Sequence, residues 1–266
     1  MTVRAAFEAA RAEDRAALVG YLPAGFPDVD GGIDAMRTMV ESGCDVIEVG
    51  LPYSDPVMDG PTIQEAAQRA LDNGVRTADV LRTVEAVAET GAKVVVMTYW
   101  NPVERHGVER FAADLAAAGG AGLITPDLVP EEAAEWIAAA DAHDLDKIFL
   151  VAPSSTDERL ALTTAACRGF VYATAVMGVT GARASTSSLA EPLVTRTRRF
   201  TDLPIGVGLG VSTGDQAAEV ASYADGVIVG SAFVRRLLDA GPDRRTGLES
   251  LAALTRELAE GVRGGR

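Results

Sequence analysis

The sequence predicts a single α/β domain in which eight strand–helix units close into a (β/α)₈ barrel. Three observations favour this class. The chain has 266 residues, a usual length for such a barrel. Short aliphatic runs alternate with helical patterns from one end of the chain to the other. No linker or change in composition divides residues 1–266, so we expect one domain, with an open doubly wound sheet as the alternative fold.

Eight runs have the nearly continuous apolar character of strands in a parallel sheet that is covered on both faces. They are residues 18–25, 45–52, 93–99, 121–127, 147–153, 169–176, 203–210 and 225–230. Helical patterns follow them, for example residues 31–43, where Gly43 supplies the stop, and residues 61–71, which begin with Pro61. This alternation is the pattern of a TIM barrel.

Charge and composition exclude several classes of function. The net charge of −14 argues against nucleic acid or an anionic membrane as a partner, so an anionic substrate must be bound by local geometry. Cys44 and Cys167 lack the spacing of a metal site, and we expect buried thiols instead of a disulfide. The first residues lack the apolar core of a signal peptide, and no apolar run approaches membrane-spanning length. We therefore expect a soluble, cytoplasmic protein.

A carboxylate stands in the middle of the second predicted strand. Because side chains alternate along a strand, Ile47, Val49 and Leu51 share the face that suits the outer helices. Glu48 then faces the barrel interior, near the end where the reactive groups of such barrels lie.

The structural explanation for an interior glutamate is an ion pair with a cation on a neighbouring strand. The eight strand runs contain no Arg, and their only lysines, Lys93 and Lys147, stand at strand starts, at the opposite end of the barrel. Without a cation, burial raises the pKa of a carboxyl group. The sequence therefore predicts an acid–base role for Glu48, unless a loop arginine reaches inward.

A second carboxylate, Asp59, follows in the loop after this strand. The pattern "DGPT" before a helix is equally typical of an N-terminal cap and of a functional loop. The loop begins just past Glu48, and its return could bring Asp59 over the same mouth. Asp55 in the same loop has the pattern of a turn former or a partner contact.

The last two strands end in glycine-rich turns. Residues 208–216 follow the seventh strand, and Gly230 and Ser231 open a helix after the eighth. Loops at these positions often bind phosphate with backbone amides, although the glycines could simply form tight turns.

The segment 176–188, after the sixth strand, is rich in small and polar residues and could be a closing loop or an inert linker. Tyr21, Tyr99 and Tyr172, near strand ends, could wall a planar substrate or belong to the core. His106 and His143 fall in outer helical segments and form no Ser–His or metal constellation, so no metal site is expected.

Several of these segments resemble one known family. "IEVGLPYSDPVMDGPTIQ", "TPDLVPEEA", "IFLVAPSSTDERL", "GVTGAR" and "VGSAFV" occur in the order found in the tryptophan synthase alpha subunit family, covering residues 15–240. The resemblance implies a lyase of tryptophan biosynthesis that cleaves indole-3-glycerol phosphate into indole and glyceraldehyde 3-phosphate by a retro-aldol reaction.

The resemblance also implies roles for single residues. Glu48 matches the acid–base that protonates indole C3 and handles the substrate hydroxyl proton, and Asp59 matches the group that stabilises positive charge at the indole nitrogen. The implied substrate-binding residues are Tyr21, Tyr99, Tyr172, Thr180, Gly181, Gly210, Gly230 and Ser231. Thr180 matches a lid threonine that contacts the catalytic aspartate on closure.

The family implies no cofactor in this chain and a beta subunit as partner, in an alpha2beta2 heterotetramer, with pyridoxal phosphate only in the beta chain. Three positions depart from the family pattern: Leu209 stands where an aromatic is frequent, Val176 replaces an arginine, and Pro130 comes one place late. Two alternative functions are a self-sufficient indole-releasing lyase and a non-catalytic subunit that activates the beta chain.

Overall fold

The computed structural model describes residues 2–174 and 187–265. Eight parallel strands pair in chain order, and the last pairs with the first, so the barrel is closed. The strands are β1 Ala17–Pro23, β2 Val46–Gly50, β3 Lys93–Met97, β4 Gly122–Thr125, β5 Asp146–Val151, β6 Val171–Thr174, β7 Ile205–Gly208 and β8 Gly226–Val229. The predicted barrel is confirmed, and each predicted strand is present; all are shorter than predicted, but β1 and β5 begin one residue earlier than expected.

Within the described ranges, helices surround the barrel and cover its lower end. They are α1 Arg4–Ala12, α2 Val29–Glu41, α3 Pro61–Asp72, α4 Thr77–Ala88, α5 Trp100–His106, α6 Val108–Ala117, α7 Ala134–Ala142, α8 Asp157–Ala166, α9 Ser187–Thr197, α10 Gly214–Ala221, α11 Ser231–Ala240 and α12 Arg244–Gly264. A short 3₁₀ helix, Pro130–Glu132, begins at the displaced proline noted above.

The two helices expected at 31–43 and 61–71 are α2 and α3. Asp28 caps α2 by accepting a hydrogen bond from the Gly31 amide at 2.7 Å, which starts the helix two residues before the predicted boundary. Pro61 occupies the first turn of α3, as predicted. Gly43 follows the end of α2 with a φ of +119°, a conformation that favours glycine.

The core has two layers, which follow from the alternation of side chains along each strand. Ile47 and Val49 belong to the layer between strands and helices, whereas Val46 belongs to the layer inside the barrel. Helix α1 covers the lower end of the interior, and the rings of Phe7 and Phe170 lie 5.0 Å apart. The barrel therefore has a closed lower end and an upper end that is available for a site.

Cys44 is buried, Cys167 is half-buried, and both are free. None of the helices in the described part of the chain combines the length and the apolar character needed to span a membrane.

Candidate active site

Glu48 lies inside the barrel, as its strand position predicts. Its neighbours in the sheet are Tyr21 on β1 and Val95 on β3, and the residue is only 1% exposed. Among the residues that the structure describes, no group donates a hydrogen bond to its Oε2 atom and no cation pairs with it. The fold thus buries a carboxyl group without a countercharge.

This environment shifts the pKa of Glu48 strongly. Burial, and then the negative charge of Asp59, raise the pKa of Glu48 from 4.5 to about 8. Lys147 does not compensate, because it pairs with Asp141 at the lower end of the barrel. At neutral pH the Glu48 carboxyl therefore holds a proton that it can give up readily.

Asp59 lies in the loop between β2 and α3, half-buried at the barrel mouth. Gly60, not Asp59, is the N-cap of α3, and no side chain caps this helix. The capping alternative for Asp59 is therefore not what the structure shows. Burial raises the pKa of Asp59 from 3.8 to about 6, and the Tyr99 hydroxyl opposes this rise.

Tyr99 supports the loop that carries Asp59. The amide of Met58 donates a hydrogen bond to the Tyr99 hydroxyl at 3.0 Å, and the rings of Tyr99 and Tyr53 lie 5.2 Å apart. Tyr99 does not belong to the residues that line the cleft described next. The structure thus places Tyr99 beside Asp59 and outside the lining of the cleft, and its predicted contact with a substrate stays a prediction.

A cleft with about 750 Å³ of empty space, part of it open to solvent, joins these groups at the upper end of the barrel. Among the residues that the structure describes, its lining is mainly apolar, with two carboxyl groups and no Lys or Arg. The lining residues are Tyr21, Glu48, Met58, Asp59, Ile63, Met97, Leu150, Tyr172, Thr174, Gly208, Leu209, Gly210, Ile228, Gly230 and Ser231. The cleft fits a ligand that is largely apolar and has one polar end.

Sequence reasoning missed six of these residues, namely Met58, Ile63, Met97, Leu150, Thr174 and Ile228. A usable signal existed for several of them. Met97 pairs with Gly50 and Leu150 with Tyr172 in the strand register, so both stand at the upper strand ends. Residues at these ends that face inward line the mouth of such a barrel.

Two glycines make room for the tyrosines of the cleft. A Cβ atom on Gly50 would lie 2.4 Å from the Tyr21 hydroxyl oxygen, and one on Gly208 would lie 2.5 Å from that of Tyr172. Any side chain at either position would therefore displace a ring from the cleft wall.

The cleft's other end is built from the glycine-rich turns. Gly230 is the N-cap of α11, Ser231 is its first residue, and no side chain caps this helix. Gly210 has a φ of +84° and also lines the cleft. Unpaired amides at a helix start and a close backbone approach suit an oxyanion.

The two glycine-rich turns are not equivalent. Thr213 caps α10, and the side chain of Gln216 accepts a hydrogen bond from the Ser212 amide at 2.8 Å. The start of α10 is therefore occupied by its own side chains, and the residues of this turn that line the cleft are Gly208, Leu209 and Gly210. Leu209, where the family often has an aromatic residue, is 8% exposed.

Some predicted residues lie elsewhere or outside the described ranges. Thr180, Gly181 and Val176, with most of the segment 176–188, lie outside the residues that the structure describes. His106 pairs with Asp114, and His143 pairs with Glu109, both on the outer helices. Neither histidine lines the cleft.

Comparisons with known proteins agree with this geometry. A sequence profile described as "Tryptophan synthase alpha chain" matches residues 7–263. The chain is 66% identical to the tryptophan synthase alpha chain of Salinispora tropica, over 97% of this chain and 96% of that one. It is 65% identical to that of Acidothermus cellulolyticus, over 95% and 94% of the two chains.

Solved structures show the same likeness. A chain of Mycobacterium tuberculosis tryptophan synthase matches with a TM-score of 0.92 and 59% identity, covering 98% of each chain. Tryptophan synthase subunit alpha of Legionella pneumophila matches with a TM-score of 0.89 and 32% identity, again over 98% of each chain. The chain therefore belongs to the tryptophan synthase alpha chain family.

Proposed function

We propose that this chain cleaves indole-3-glycerol phosphate with Glu48 as the proton-transfer group and Asp59 as the charge that stabilises the indole nitrogen. The chain is a lyase of tryptophan biosynthesis, and its products are indole and glyceraldehyde 3-phosphate. The observation that supports the assignment of Glu48 is its burial inside the barrel with no cation beside it among the residues that the structure describes.

The reaction needs one group that first gives and then takes a proton. Protonation of indole C3 makes the C3–side-chain bond breakable, because its electrons can then flow to the positively charged ring nitrogen. Removal of the side-chain hydroxyl proton forms the aldehyde as this bond breaks. One carboxyl can perform both steps, since the proton it donates to C3 is replaced by the hydroxyl proton. A pKa near 8 suits this exchange at neutral pH.

Asp59 supplies the complementary charge. Protonation of C3 leaves positive charge on the indole nitrogen, and an ionised carboxylate nearby stabilises that state. The pKa of Asp59, about 6, leaves it ionised at pH 7 while Glu48 is still protonated. Two carboxyl groups in one cleft thus hold different protonation states, because their environments separate their pKa values.

The remaining lining suits the two ends of the substrate. Apolar side chains and the rings of Tyr21 and Tyr172 wall a space for the indole. Gly210, Gly230 and Ser231 offer backbone amides and a hydroxyl for the phosphate, with the start of α11 as the main contact. Thr180 and Gly181 are proposed contacts on family resemblance alone. Tyr99 acts by holding Met58 and Asp59 in place.

We further propose that the chain works with a tryptophan synthase beta chain, in an alpha2beta2 assembly whose beta chain carries pyridoxal phosphate. The family resemblance is the main support. The loop that carries Asp59 also exposes Val57, 72% of whose surface is accessible, directly before Met58 of the cleft. Val57 is the most exposed of the large apolar side chains that the structure describes, and its place beside the cleft suits contact with a partner that receives indole.

An assay of indole release tests the proposal. The purified chain is incubated with indole-3-glycerol phosphate, alone and with a beta chain from a relative, and indole is measured. Slow release alone and faster release with the beta chain are expected. Fast release that the beta chain does not change would support a self-sufficient lyase. No release in either case would contradict the proposed function.

A further inference from the structure

The cleft presents an electrostatic problem for the substrate that the proposed function assigns to it. At neutral pH its lining contains the ionised carboxylate of Asp59, the protonated carboxyl of Glu48 and no basic side chain among the described residues, and the whole chain carries a net charge of −14. A phosphate ester that approaches this mouth is repelled by the carboxylate in the lining and by the net charge of the chain. Backbone amides hold an anion once it is bound, but they attract it only at short range.

One arginine stands beside the proposed phosphate end of the cleft. Arg235 is in α11, one turn after Ser231, and therefore lies on the same side of the helix. Long helical side chains lean towards the helix N-terminus, which is the end that faces the cleft. The Nη2 atom of Arg235 donates a hydrogen bond to the Thr62 hydroxyl at 2.5 Å.

This contact fixes the guanidinium at the rim of the cleft. Thr62 belongs to the first turn of α3 and directly precedes Ile63, which lines the cleft. Arg235 thus spans from the helix of the proposed phosphate site to the helix that follows Asp59. Thr62 is uncharged, so the bond positions the guanidinium without neutralising it.

The charge of Arg235 is not compensated by a carboxylate in the part of the chain that the structure describes. Nearby arginines differ in this respect: Arg69 pairs with Glu65, and Arg244 pairs with Asp34. Arg236 is also exposed and without an ion pair among the described residues, but it follows Arg235 and so points about 100° away around the helix. It is therefore a matched control.

We propose that Arg235 is the cation that attracts the phosphate end of the substrate to the mouth of the cleft. This inference rests on the proposed function. Arg235 acts on the approach of the anion, while the glycine turns hold the phosphate in the bound state. The residue therefore contributes to kcat/KM and to the affinity for phosphate, and not to the chemical step.

The test compares Arg235→Gln, Arg236→Gln and Arg235→Lys in the full chain with an added beta chain. The value of kcat/KM for indole-3-glycerol phosphate is measured from about 20 to about 500 mM NaCl. At low salt, Arg235→Gln is expected to lose about three- to tenfold in kcat/KM through a higher KM, with kcat unchanged. The loss should shrink at high salt, Arg235→Lys should restore most of it, and Arg236→Gln should resemble the wild type.

Two results would overturn the inference. One is an Arg235→Gln variant that matches Arg236→Gln at every salt concentration. The other is a loss that does not depend on salt or that falls on kcat, because a purely structural contact with Thr62 would give that result. Both leave the proposed function standing as long as the wild-type chain releases indole. If the wild type releases none, calorimetric titration with inorganic phosphate still tests whether Arg235→Gln weakens phosphate binding relative to Arg236→Gln.

Discussion

The two ends of the barrel bury carboxylates in opposite ways. At the lower end, Asp225 accepts a hydrogen bond from the Ile205 amide at 3.0 Å and pairs with Arg11 at 3.0 Å and Arg198 at 2.9 Å. Burial raises its pKa, but these partners outweigh burial and leave the pKa below its usual value. At the upper end, Glu48 is buried without such partners in the described ranges of the chain, and its pKa rises to about 8.

Asp146, also at the lower end, lies between these extremes. It is fully buried, and burial raises its pKa, while the Val3 amide, the Thr2 hydroxyl and Arg168 oppose the rise. Its contacts join the N-terminal segment to the start of β5. Burial alone therefore does not mark a functional carboxylate. What marks Glu48 is burial in a cleft where no described residue supplies a compensating donor to its Oε2 atom or a cation.

The largest expected effect is a loss of activity when the buried carboxyl at the upper end is changed. Glu48→Gln keeps the shape of the side chain but cannot exchange a proton, so indole release should fall by about 10²–10⁴-fold. The variant should fold normally, because no ion pair is lost among the described residues. Steady-state indole release measures the effect, with circular dichroism as the control for folding. Full activity in a folded Glu48→Gln chain would remove the central assignment.

The second prediction concerns the pH dependence of stability, which should have opposite signs at the two ends. Folded Glu48 keeps its proton up to about pH 8, whereas a carboxyl of the unfolded chain releases it near 4.5. Folding therefore takes up a proton between these values, and the stabilising contribution of Glu48 is lost as pH rises through this window. Asp225 has a lowered pKa, so its contribution is present at neutral pH and is lost as pH falls below about 4.

Urea unfolding of the wild type, Glu48→Gln and Asp225→Asn at several pH values measures how the stability contribution of each carboxyl group changes with pH. The wild type should lose stability relative to Glu48→Gln as pH rises from about 4.5 to about 8. The advantage of the wild type over Asp225→Asn should instead shrink at acid pH. If the wild type gained or lost stability with pH in the same direction relative to both variants, the two ends would not differ as described.

The third prediction is a stability loss without an activity loss at the lower end. Asp225→Asn leaves Arg11 and Arg198 without their carboxylate and should lower the free energy of unfolding at pH 7 by about 2 kcal/mol. The folded fraction should release indole at the wild-type rate. Asp239→Asn, at an exposed carboxylate of α11, is the control for losing a charge. A tenfold loss of kcat in folded Asp225→Asn would contradict a purely structural role.

The smallest expected effect concerns the support of Asp59. Tyr99→Phe removes the hydroxyl that accepts from the Met58 amide and opposes the raised pKa of Asp59. The pKa of Asp59 should then rise above about 6, and the low-pH limb of kcat/KM should move upward, with a loss of about three- to tenfold at neutral pH. Tyr53→Phe, on the neighbouring ring, should leave this limb in place. Identical pH profiles for the two variants would show that Tyr99 does not position Asp59.

The barrel and Glu48 could be predicted from the sequence because both depend on local periodicity. The alternation of side chains along a strand is enough to place Glu48 in the barrel interior, and the lack of Arg in the strands is visible in the sequence. The support of Asp59 by Tyr99 could not be predicted, since it depends on the path of the loop between β2 and α3.

Contacts between distant parts of the chain could not be predicted from the sequence either. An apolar face on α1 is visible in the sequence, but its packing against Phe170 inside the barrel is not. Arg235 and Thr62 are 173 residues apart, and nothing local relates them. Sequence periodicity therefore determines which way a strand residue points, whereas loop paths and helix contacts decide which groups meet at the cleft.

The most direct test of the account is the titration of the Glu48 carboxyl itself. Carbon-13 NMR of the chain labelled at glutamate carboxyls, with Glu48→Gln used to assign the signal, follows its protonation as pH changes. We predict a midpoint near 8, with the group protonated at neutral pH, and a lower midpoint in Asp59→Asn because the neighbouring charge is gone. A midpoint near 4.5, unchanged by Asp59→Asn, would contradict the claim that the barrel holds this acid without a countercharge.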